Sequence, residues 1–187
     1  MKYIKLYEEF INELADSSKI YDYKLNCTDA GDVKIWEAYF TSASGVKYVC
    51  TMIDADLYDK KNLKAYSDKI TGGKLKPAKL KNIHLSDMCY YEMNFKTVDG
   101  TAFSELTGKG EMPSVVSTCF DVAREVCAQE GNPKLFGFHF EGTPKDGDTE
   151  KDATQRTRIY RYFISKLFTP DFVMYEDGNT TRVIRIR

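Results

Sequence analysis

The chain has 187 residues, 42% of them apolar and 13% aromatic, with 27 basic against 28 acidic side chains and a formal net charge of -1. A chain of this length buries roughly 70% of the surface its unfolded form exposes, so it builds a core without a metal or disulfide staple. The balanced charge excludes whole-molecule attraction to nucleic acid or an anionic membrane, and the composition excludes a disordered or collagen-like chain.

The five cysteines, Cys27, Cys50, Cys89, Cys119 and Cys127, are widely spaced with no CxxC pair. They read as reduced core residues of a cytoplasmic-type compartment. No uncharged apolar run approaches the ~20 residues of a membrane helix, and the first residues lack the apolar centre of a secretory signal. Neither export nor membrane insertion is expected.

Met1 to Ala15 places Tyr3, Leu6, Tyr7, Phe10, Ile11 and Leu14 at helical spacing, with lysines and glutamates opposite them. This predicts an amphipathic helix, followed by a polar break at Asp16-Ser17-Ser18. Residues 1–18 are expected to form this helix, either as a separable leader or as a first helix packed on the sheet, and 19–187 a single domain with the resemblance described below. From Lys19 the period becomes two: strands are predicted over Ile20 to Leu25, Asp32 to Thr41 and Val46 to Ile53, with Ala43-Ser44-Gly45 as a turn. An insertion at about 54–85 follows, and within it Lys60 to Lys81 holds eight lysines against one acid, Asp68. With only Tyr66 available for base stacking, this run reads as a solvated loop.

Strand character returns at Met88 to Val98, with a turn at Asp99-Gly100. Val116, Cys119, Phe120, Ala123, Val126 and Cys127 recur at three- and four-residue steps and predict a helix from Ser114 to Gln129. Leu135 to Phe140 sets three phenylalanines on one side of a strand, with His139 read as a sheet-surface residue. Asp152 and Gln155 form a capping pair for a second helix ending near Phe168, and Phe172 to Tyr175 with Thr180 to Ile186 make a final hairpin.

Chemistry-bearing motifs are few. The two histidines, His84 and His139, have no zinc-ligand spacing around them, and the Walker loop, GxSxG elbow and dinucleotide fingerprint are all missing from the sequence. No metal is expected. Gly108-Lys109-Gly110 lies between a strand and a helix, where backbone amides and a helix N-terminus can face phosphate; a tight turn explains the same residues.

Strand, glycine turn, helix, strand, a helix bearing Arg156-Thr157-Arg158-Ile159-Tyr160-Arg161, then two strands resembles the C-terminal half of the GNAT N-acetyltransferase fold, over about Met88 to Arg187. The resemblance implies an α/β (α+β) architecture, with a mixed, mostly antiparallel central sheet and flanking helices. It also implies acetyl-CoA as cofactor if the protein is an enzyme, held at Gly108, Lys109 and Gly110. Tyr160 would then protonate the leaving thiolate and Glu92 accept the amine proton. The sequence departs from the family's turn, because Thr107 precedes the glycines and Glu111-Met112-Pro113 separates them from the helix.

Met1 to Glu13 is also similar to the leader of internal head proteins of large tailed bacteriophages, where a targeting helix ends at a hydrophobic-x-Glu cleavage site; Ile11-Asn12-Glu13 has that form. This implies a phage-encoded accessory protein, located in the virion or the host cytoplasm and binding phage head components or a host protein. An active N-acetyltransferase and a structural virion component are the alternatives.

Overall fold

The computed structural model describes residues 19–31, 33–55, 88–100, 111–131, 133, 135–141, 172–177 and 180–185. In chain order these form β1 (Tyr23–Asp29), β2 (Lys34–Thr41), β3 (Lys47–Asp54), β4 (Met88–Thr97), α1 (Met112–Gln129), β5 (Leu135–Glu141), β6 (Phe172–Asp177) and β7 (Thr180–Arg185). All seven strands belong to one sheet, ordered β1-β2-β3-β4-β5-β7-β6. Every neighbouring pair is antiparallel except β4 and β5, which run parallel with α1 as their connection.

Alternation decides which face each side chain takes. Trp36, Ala38 and Phe40 of β2 are buried on the α1 side, and Tyr48, Cys50 and Met52 of β3 continue that face. The β2–β3 connection closes through Ser42 N–H to the Val46 carbonyl and Gly45 N–H to the Ser42 carbonyl, both 2.9 Å. Gly45 has φ +85°, a left-handed conformation that costs a residue with a Cβ.

α1 lays Val115, Val116, Cys119, Phe120, Ala123 and Val126 on the sheet, all at 3% exposure or less. Phe120 reaches Phe138 and Phe140 of β5, with ring centroids 5.9 Å apart in both pairs. Each buried valine and phenylalanine among them contributes roughly 1.5–3 kcal/mol. The helix opens two residues earlier than its apolar stripe predicts, because Pro113 suits the first turn, where an amide would lack an intrahelical acceptor. No described helix is long and apolar enough to cross a membrane.

The expectation of a GNAT-like α/β fold with flanking helices is corrected. The described chain is mostly a seven-stranded mixed sheet with a single helix, more sheet-rich than that architecture. Three- and four-residue apolar spacing is confined to α1 among the described residues, and the remaining elements are extended and pair edge to edge. The helices expected over Met1 to Ala15 and Asp152 to Phe168, and the lysine-rich insertion beyond Ala55, lie outside the described residues.

Two smaller readings also change. Cys27 is exposed rather than in the core, because it lies on edge strand β1, while Cys50, Cys119 and Cys127 are buried and all five thiols are free. His139 is only 7% exposed, because β5 lies inside the sheet and is buried on both faces from Leu135 to Phe140.

Candidate functional site

The parallel ladder between β4 and β5 runs from Met88 opposite Leu135 to Glu92 opposite His139. Beyond that level β4 continues to Thr97 in register with β3, while β5 continues to Glu141 in register with β7. The sheet therefore divides into a four-stranded and a three-stranded part at Glu92. Glu92 is exposed there and accepts a 2.8 Å hydrogen bond from Asn94 Nδ2 on the same face of β4.

The face of the sheet away from α1 carries polar chemistry at the same level. His139 lies opposite Arg182 in the β5–β7 ladder. Its ring stacks on Tyr90 with centroids 5.3 Å apart, and Arg182 Nη1 donates to the Tyr90 hydroxyl at 2.8 Å. Tyr90 is fully buried. Gly137 makes room for its ring, since a Cβ at Gly137 would stand 3.2 Å from Tyr90 Cδ2 and 2.8 Å from the Val183 carbonyl oxygen. Glu92, His139 and Arg182 thus sit side by side on three adjacent strands.

The start of α1 is occupied by a carboxylate. Glu111, at the N-cap position, accepts from Ser44 N–H at 2.6 Å and from Ser44 Oγ at 2.7 Å, tying the helix to the β2–β3 turn. Pro113 supplies no amide in the first turn. Negative charge is therefore fixed at the helix end that would otherwise attract an anion.

A second carboxylate is held at the opposite end of α1. Glu130 Oε1 accepts from Tyr91 OH at 2.6 Å, Lys34 Nζ at 2.9 Å and Trp36 Nε1 at 3.0 Å, while Oε2 accepts from Lys34 Nζ at 3.0 Å. Burial pushes the Glu130 carboxyl upward, but the bonds from Tyr91, Lys34 and Trp36 together outweigh it and hold the group below its ordinary range. Burial, reinforced by Glu130, drives the Tyr91 phenol far above its usual value. Both oxygens of Glu130 are engaged by side chains of β2 and β4, which makes this cluster a clamp between helix and sheet.

Of the residues singled out from the sequence, Glu92 is placed at the division of the sheet. Tyr160, Gly108, Lys109 and Gly110 lie outside the described residues. Tyr90, Arg182 and Glu130 were not legible as site residues: Tyr90 and Glu92 share a phase on β4, but nothing local announces that β7 pairs with β5. Among the described residues no group of three or more His, Cys, Asp or Glu is placed to hold a metal ion. No family model, curated protein or solved structure matches the chain.

Proposed function

We propose that the chain is a phage-encoded accessory protein, virion-associated or host-directed, that acts by binding rather than by acyl transfer. The observation that carries this reading is the start of α1, where the Glu111 carboxylate is clamped on Ser44 and Pro113 withholds an amide. That arrangement opposes a pyrophosphate at the place where the N-acetyltransferase resemblance puts it. The likeness of Met1 to Glu13 to a head-protein leader supports the phage assignment.

Thermal melting of the full chain with and without acetyl-CoA tests the reading. A cofactor present at 100 times its Kd would stabilise the fold by about 2.7 kcal/mol. The expected result is an unchanged melting curve up to millimolar acetyl-CoA; a rising midpoint overturns the reading. Mass spectrometry of the protein from virions, showing an N-terminus at Leu14, is the result expected of a leader cut after Glu13.

One observation favours a second reading, an acetyl-CoA-dependent N-acetyltransferase. The β4–β5 ladder ends at Glu92, leaving an exposed carboxylate where the family's amine-proton acceptor would stand. With Tyr160 as acid, Glu92→Gln and Tyr160→Phe would each lower acetyl transfer by ~10²–10⁴-fold while leaving stability unchanged. The absence of acetyl transfer by the parent chain across a panel of amines removes this reading.

A further inference from the structure

The chain leaves the sheet on the N-terminal side of β1. β1 pairs with β2 from Tyr23 opposite Phe40 onward, whereas the amides of Lys19 and Tyr21 donate to the Ser114 and Thr118 hydroxyls of α1, both at 3.0 Å. Between this departing segment and the end of β2 lies an open cavity of about 560 Å3. Aromatic rings in one near-parallel file back it, with the partly exposed Tyr21 at one end and Phe40 and Tyr48 almost wholly buried behind it. Tyr21 stacks on Phe40 at 6.1 Å and Phe40 on Tyr48 at 5.4 Å, each pair inclined by 16°. Lys19 and Lys47 bring two cationic side chains to the lining against the one carboxylate of Asp22.

This combination has a chemical preference. The volume falls within the ~300–1,000 Å3 of small-molecule pockets. A file of ring edges and faces favours another flat ring, and an excess of ammonium groups favours an acid attached to it. We propose that the cavity binds a small planar aromatic anion, its ring against Tyr21 at the open end of the file and its acidic group toward Lys19 and Lys47. The inference rests on the reading that the chain acts by binding, and it gives that reading a ligand class. None of the lining residues belongs to the Glu92 level of the sheet, while the Glu111 clamp adjoins the cavity through the 3.2 Å contact of Ser42 Oγ with Ser44 Oγ.

The test is fluorescence titration of the full chain with 8-anilinonaphthalene-1-sulfonate and with N-phenyl-1-naphthylamine, which has the same rings without the sulfonate. One saturable site is expected, with the sulfonate preferred by about two- to fivefold, the range for exposed charge pairs. A Lys19→Ala, Lys47→Ala double variant should lose that preference while keeping the uncharged dye. Ala43→Trp, at an exposed position on the rim, should block both dyes with the melting curve retained. Unsaturable binding, or titrations unchanged in Ala43→Trp and in the lysine variant, overturn the proposal. Acetyl-CoA run in parallel separates the two claims: a melting shift with it overturns the binding-only reading, while the dye titrations decide the cavity.

Discussion

Glu130 shows how one buried side chain ties distant parts of the chain together. Its carboxylate stands at the C-terminal end of α1, where the helix dipole disfavours negative charge, and Lys34 from β2 offsets that cost with a bond to each oxygen. Truncation to Glu130→Ala leaves the Trp36 indole N–H and the Tyr91 hydroxyl without their acceptor. A loss of about 3 kcal/mol is expected in urea unfolding. The pH dependence follows from the directions of the shifts. Glu130 is depressed on folding, so its contribution is present above the ordinary carboxylate value of about 4.3 and fades as pH falls through its lower folded value. Lys34 and Tyr91 are raised on folding, so theirs is complete below about 10 and fades as pH climbs through their higher folded values. Melting midpoints across pH should thus fall on both sides of a plateau, and the acid limb should flatten in Glu130→Gln. At Gly137 the constraint is steric instead. Gly137→Ala drives a Cβ to 2.8 Å from a backbone oxygen, and a loss of about 2 kcal/mol is expected on chemical denaturation.

At the level of elements, the seam between α1 and the chain entering β1 depends on two periods meeting. Lys19, Tyr21 and Tyr23 alternate along an extended chain, and their partners Ser114, Thr118 and Asp121 lie at three- and four-residue steps on one stripe of the helix. Two residues of strand span about 6.6 Å and one helical turn 5.4 Å, so the stripes stay aligned for three contacts. Thr118 is fully buried and itself donates to the Ser114 carbonyl at 2.7 Å. Thr118→Val keeps the shape and removes the acceptor for Tyr21 N–H, with an expected cost of about 1–2 kcal/mol. Tyr23→Phe, which loses the 3.0 Å bond to Asp121, should cost about 1 kcal/mol. Loss of protection confined to residues 19–23 in amide exchange of Thr118→Val is the signature of this seam.

For the whole molecule, position in the sheet sets local stability. β3, β4 and β5 are the three inner strands, flanked by β2 and β7, whereas β1 and β6 are the edges. Amides of the three inner strands should exchange last and those of β1 and β6 first, because opening an edge exposes little apolar surface. The thiols report the same gradient. Under native conditions a disulfide reagent should modify exposed Cys27 rapidly, partly covered Cys89 more slowly, and buried Cys50, Cys119 and Cys127 at the rate of unfolding. Fast modification of all five would contradict the core described here.

Local pattern alone determined a good deal. The period-two runs at 34–41, 47–54, 88–97 and 135–141, the Gly45 turn and the apolar stripe of α1 are all visible in the residues, because side-chain direction repeats every two or 3.6 positions whatever the chain does later. Glu92 is singled out by the N-acetyltransferase resemblance and not by periodicity. What the tertiary structure decided is who stands beside whom. Lys34 and Glu130 are 96 positions apart, and Arg182 and Tyr90 are 92 apart. The burial of His139, the division of the sheet at Glu92 and the cavity beside Tyr21 all arise where β5 joins β4 and where the segment before β1 turns from the sheet to α1. A residue's periodicity encodes the face it turns to, but the neighbour across that face is set by strand pairing and helix docking, to which residues far along the chain contribute half of every contact.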